Sequence, residues 1–178
     1  MLLKRGIVLA AFLAATGFVA QSFAATITFS AVMTPSQETA NPVSPGSGFA
    51  TVSVTGDILT IVETWTGLTA PASAAHIHCC AAPGTNAPVV LPFGGFPAAT
   101  SGTFTGTFDL TTALTGISEA NFLAGLNSGL AYVNIHNTIN PGGEIRGQLL
   151  PTPEPSSLVL LGSGVLGLAA AARRRLRV

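Results

Sequence analysis

Positive charge is the scarcest thing in the middle of this chain. Of its seven basic residues, Lys4, Arg5, Arg173, Arg174, Arg175 and Arg177 sit at the two ends, which leaves Arg146 alone between them. The intervening carboxylates are Glu38, Asp57, Glu63, Asp109, Glu119 and Glu144, so the neutrality of the whole chain conceals an acidic body. A body with one cation cannot present the basic footprint that binding to nucleic acid requires, and nucleic acid is excluded as a partner. Cysteine is nearly absent too. Cys79 and Cys80 are the whole complement, and two neighbours cannot staple distant segments of one chain. The carboxylates are too scattered to propose an acid and base pair, no phosphate-binding glycine loop occurs, and no serine stands in a recognisable nucleophile context. An enzymatic reading would have to rest on a metal.

Long apolar runs occur only at the ends. Lys4 and Arg5 precede an apolar stretch from Gly6 to Ala20, and Ser22-Phe23-Ala24 supplies a small-x-small cleavage pattern, so residues 1–24 read as a secretory signal peptide. At the other end Pro153-Glu154-Pro155 is followed by an uncharged run from Leu158 to Ala172 and then Arg173-Arg174-Arg175. A helix over that run extends about 22 Å, short of the about 30 Å hydrocarbon core of a bilayer. The expectation is a C-terminal transmembrane helix that anchors transiently, with the arginines snorkelling to the cytoplasmic interface; a permanent single-pass anchor is the alternative. Residues 151–178 resemble the PEP-CTERM sorting signal. That resemblance implies an exosortase-type processing enzyme as partner, and export to the cell envelope, the cell surface or the extracellular matrix.

The body, 25–150, is long enough for one domain, and its texture is β throughout. Ile27, Phe29 and Ala31 alternate with Thr26, Thr28 and Ser30; the runs 48–55 and 58–65 flank Gly56-Asp57 as a hairpin would; 101–109, 130–136 and 144–149 complete the strands. One helix is expected over 118–126, capped by Ser118, with Phe122 and Leu126 on one face. Pro83 to Pro97, rich in Pro and Gly, reads as a long surface loop. The fold class is all-β, an antiparallel Greek-key sandwich or barrel.

The histidines carry the chemistry. His76-Ile77-His78 precedes Cys79-Cys80, and Tyr132-Val133-Asn134-Ile135-His136 precedes Asn140-Pro141-Gly142-Gly143-Glu144-Ile145-Arg146-Gly147. In a strand His76 and His78 share a face, and a neighbouring strand would bring His136 to them. Neutral imidazoles suit copper, or zinc less well. The competing reading is structural histidines held by hydrogen bonds. Arg146 is expected to pair with Glu144, or to attract an anionic ligand. Cys79 and Cys80 can form a strained vicinal disulfide, crosslink two chains, or remain small buried thiols; if the strand continues, Cys80 can also add a thiolate to the histidine site.

The two histidine blocks together resemble the chordin-type (CHRD) domain over most of 25–150, which implies a secreted β domain. A fainter likeness is to the copper-zinc superoxide dismutases, also a Greek-key β fold, in the order of Gly67-Leu68, His76-x-His78, His136 and Arg146. Here no fourth histidine stands in the metal-bridging position and no His/Asp cluster forms a zinc loop. The expected function is an envelope-sorted surface or extracellular-matrix (biofilm) module without enzymatic activity, whose partners are polysaccharide or matrix components. A copper-binding or redox protein using the three histidines is the alternative.

Overall fold

The computed structural model describes residues 25–152 and 157–175. Two antiparallel sheets enclose the core. The first has the strand order β6-β3-β2-β1-β9 and the second β5-β4-β7-β8, so the architecture is a sandwich and not a closed barrel. Strands β1 (Thr26–Met33), β2 (Ser47–Thr55) and β3 (Ile58–Thr66) form a meander. The β2–β3 hairpin turns on Gly56-Asp57, as the sequence predicts, and Gly56 takes a φ of +56° that a side chain would resist. The chain then enters the second sheet with β4 (Ala72–His78) and β5 (Val89–Pro92), and returns to the first with β6 (Gly102–Asp109) beside β3.

A one-turn α1 (Leu110–Ala113) follows, capped by the Asp109 carboxylate, which accepts from the Thr111 amide. Helix α2 (Glu119–Asn127) starts from Ser118, whose hydroxyl accepts from the Asn121 amide, and buries Phe122 and Leu126. Strands β7 (Tyr132–Asn137), β8 (Ile145–Gln148) and the two-residue β9 (Leu150–Pro151) complete the sandwich. Alternation does the packing. Phe29, Ala31 and Met33 from β1, Ala50, Val52 and Val54 from β2, and Leu59, Ile61 and Trp65 from β3 meet Ala75, Ile77, Val133, Ile135 and Ile145 of the opposing sheet.

One expectation needs correction here. The segment Pro83 to Pro97 is not all loop: β5 lies within it and buries Val90 and Leu91 against β4. Its proline, Pro92, sits at the strand end on a sheet edge, where a missing amide costs nothing.

The end segments divide. Residues 1–24, the expected signal peptide, and Pro153, Glu154 and Pro155 lie outside the described residues. Helix α3 (Ser157–Arg175) occupies the apolar tail. Among the described residues no helix is long and apolar enough to cross a membrane, so the expected transmembrane helix is not found there.

Candidate functional site

The second sheet has two unlike faces. Ala75 and Ile77 of β4 and Val133 and Ile135 of β7 enter the core, so the residues alternating with them stand together on the other face: His76 and His78 on β4, Tyr132, Asn134 and His136 on β7, with Arg146 and Gln148 beside them on β8. Register sets the neighbours. Asn134 lies directly opposite His76 and Tyr132 opposite His78, while His136, opposite Ala74, is diagonal to His76. The loop after β4 crosses this face, held by Arg146 Nη2 on the Thr85 carbonyl (2.9 Å) and Gln148 Nε2 on the Ala81 carbonyl (3.2 Å).

His76, His78 and His136 therefore converge, each offering one ring nitrogen within 4.8 Å of the others. His136 Nδ1 is 3.0 Å from the Pro141 carbonyl, a contact that puts the proton on Nδ1 and leaves Nε2 with a free lone pair. His78 Nδ1 lies 2.8 Å from the Ala87 carbonyl and its Nε2 3.1 Å from Asn134 Oδ1; both oxygens are acceptors, so a neutral ring donates to one of them only. Two ring nitrogens in the cluster, His76 Nδ1 and His136 Nε2, are buried with no hydrogen-bond partner. Burial lowers the pKa of all three rings, that of His76 to about 4 with help from the neighbouring His136 and His78, so the cluster is neutral at neutral pH.

This donor set fits a metal that takes imidazole. At metal–nitrogen distances of about 2 Å two ligands stand at most about 4 Å apart. The rings must therefore draw together somewhat, and a metal on His78 Nε2 would replace its contact with Asn134.

Arg146 does not pair with Glu144. Strand β8 begins at Ile145, so the shared strand face that would align the two is missing. Instead Glu144 accepts from Ser44 Oγ, the Thr69 amide and Asn137 Nδ2, while Arg146 donates to Thr85 O and Asn86 Oδ1 and stacks 3.3 Å from the Tyr132 ring centroid. His78 stacks on the same Tyr132 ring at 4.6 Å, which links the arginine to the histidine cluster. Glu38 accepts from Asn134 Nδ2 at 3.2 Å, and burial raises its pKa against the pull of that bond and of Arg146. Arg146, Glu38, Gln37 and Gln148 border a polar groove of about 470 Å³.

Cys80 is not part of the cluster. Strand β4 ends at His78, and Cys79 and Cys80 are joined to each other, facing Gly125 of α2. Sequence reasoning missed Asn134, Tyr132 and Glu38. The first two carried a signal, since they precede His136 in steps of two along a strand; Glu38 carried none, because only folding brings it there.

No curated protein and no solved structure matches this chain, so the superoxide dismutase likeness stays one of residue order. Two family models do match. The PEP-CTERM protein-sorting motif covers residues 151–175 and marks an exported protein sorted to the cell envelope by an exosortase. The CHRD domain model covers residues 29–149, which takes in both sheets up to β8 and all three clustered histidines, and the chain accordingly belongs to the CHRD domain family.

Proposed function

We propose that this protein is a non-enzymatic binding module of the extracellular layer, and that its CHRD domain holds one copper ion through His76, His78 and His136. The observation that carries the reading is the pair of buried, unpartnered ring nitrogens, His76 Nδ1 and His136 Nε2, beside His78. An unsatisfied buried polar atom is costly unless something binds it. A neutral three-imidazole set suits copper, which heads the divalent affinity series. The backbone anchoring of Nδ1 in His78 and His136 orients the rings, as outer-shell carbonyls do for metal-bound histidines.

Contact with the matrix has its own support. The outer face of the first sheet is exposed or half-buried and rich in hydroxyls, with Thr28, Ser30, Thr51, Ser53, Thr60 and Thr105 among them and no lysine or arginine on its strands. Such a face favours neutral polysaccharide over charged partners.

Copper titration of the metal-free full chain tests the site. One equivalent is expected to bind at neutral pH with nitrogen hyperfine structure in the electron paramagnetic spectrum, and His136→Ala or His76→Ala is expected to weaken binding by at least about tenfold. Thr60→Ala is expected to leave it unchanged. Absence of stoichiometric binding, or binding indifferent to His136→Ala, would return the histidines to a structural role.

A further inference from the structure

The four sheet edges are unequal. Strand β9 has two residues, β5 is short and ends in Pro92, and β8 is buried and bridged to Thr34. Strand β6 is different: eight residues, Gly102–Asp109, paired with β3 on one side and with no backbone partner on the other among the described residues. It carries none of the usual protections of an edge, neither proline, nor lysine, nor a bulge, and its one charge, Asp109, is at the end.

Its flank is aromatic. Phe104 and Phe108 project from β6 to the inner side and remain only partly buried, packed against Phe93 at 5.3 and 5.7 Å between centroids. Phe96, also partly buried, adds to the patch at 5.1 Å from Phe104. The two β6 rings close over Gly106, where a Cβ would stand 2.7 Å from Phe108 and 2.9 Å from Phe104.

The sequence of the strand reads almost the same in both directions from Gly106. Thr105 answers Thr107, Phe104 answers Phe108, and Thr103 answers Asp109. Antiparallel pairing of a strand with its own copy about a two-fold axis at Gly106 sets 105 opposite 107 and 104 opposite 108, so like residues meet like.

We propose that β6 is a self-association edge, through which two copies of this chain pair antiparallel about a two-fold axis at Gly106. The first sheets of the two copies then run into one. Thr105 of each chain faces Thr107 of the other on the hydroxyl face, and each Phe104 meets a partner Phe108 on the inner side, so the pairing covers both the bare edge and the half-buried rings. The contact is isologous and closes on itself. It deepens the reading of the chain as a module of an extracellular layer, and it involves no metal ligand.

Sedimentation equilibrium of the full chain in density-matched detergent containing a chelator tests it. The unaltered chain is expected at the mass of a dimer. The double substitution Thr105→Lys/Thr107→Lys sets lysine against lysine across the axis and is expected to halve the mass, as is Thr105→Glu/Thr107→Glu. Mixing the two variants in equal amounts is expected to restore the dimer, since opposite charges then face each other. Thr51→Lys/Ser53→Lys, at the middle of the same face, is the control and is expected to stay dimeric. A monomeric unaltered chain, a mass indifferent to both β6 variants, or no recovery on mixing would overturn the proposal. Because the assay runs without metal, its failure leaves the copper site standing, and failure of the copper titration leaves this edge standing.

Discussion

Glu63 occupies a place where the strand pattern calls for an apolar side chain. It follows Leu59 and Ile61 inward on β3, is fully buried, and neither carboxylate oxygen has a hydrogen-bond partner. Burial alone raises its pKa from 4.5 to about 8. The group is therefore protonated in the folded chain at neutral pH and ionised in the unfolded one. A pKa raised by folding means that stability falls as pH climbs from about 4.5 to about 8, on the order of 3 kcal/mol by pH 7. The histidine cluster works in the opposite sense at lower pH, since rings with lowered pKa give stability that is lost as pH drops below 6.5. Comparison with Glu63→Gln isolates the carboxyl. Denaturant unfolding is expected to give similar stabilities for the two chains near pH 4.5, and a growing advantage for Glu63→Gln as pH rises to 8. A constant difference across that range would show that Glu63 is not kept neutral by burial.

Among the elements, α2 is held by a contact that leaves no spare room. Its Gly125 lies against the joined Cys79 and Cys80, and a Cβ at that position would run into both sulfurs. Glycine in a helix interior ordinarily costs stability relative to alanine. Here the ranking reverses: Gly125→Ala is expected to destabilise by about 1–3 kcal/mol, as overpacking does, measured by thermal or denaturant unfolding. A chain made more stable by that substitution would mean that α2 can move off the cysteine pair freely. Strand β5 makes a related point. The sequence reads as loop because Pro and Gly surround it, yet four residues suffice once β4 offers an edge and the core accepts Val90 and Leu91.

For the molecule as a whole, the charge distribution separates address from function. The body carries one cation, itself buried, whereas the sorting motif over 151–175 contains Arg173, Arg174 and Arg175. The sorting motif thus lies almost wholly outside the sandwich, sharing with it only Pro151 of β9 and Thr152, whose amide donates to the Thr28 carbonyl. Replacing Pro153, Glu154 and Pro155 with alanine is expected to leave the protein exported but retained in the membrane at its unprocessed mass, as read by fractionation and mass spectrometry. Unchanged release and unchanged mass would mean that the proline motif is not what the processing enzyme reads.

The linear pattern by itself determined the β texture, the Gly56-Asp57 hairpin, the capped helix from Ser118 and the shared face of His76 and His78. Each depends on residues close in sequence, where periodicity and turn chemistry act directly. It also carried the CHRD family and the PEP-CTERM sorting motif, because their signatures are local runs. Tertiary structure decided the rest. That His136 is diagonal to His76, with Asn134 opposite His76, follows from the β4–β7 register, and the bond from Asn134 to Glu38 follows from folding across 96 residues; no single segment encodes either. Arg146 meets Tyr132, Thr85 and Asn86 because folding lays the loop after β4 across the sheet, while Glu144, just before β8, is held by Ser44, Thr69 and Asn137. Sandwich rather than barrel was likewise a matter of which edges pair: hydrophobic alternation says which side of a strand faces inward, but not which strand lies at its edge.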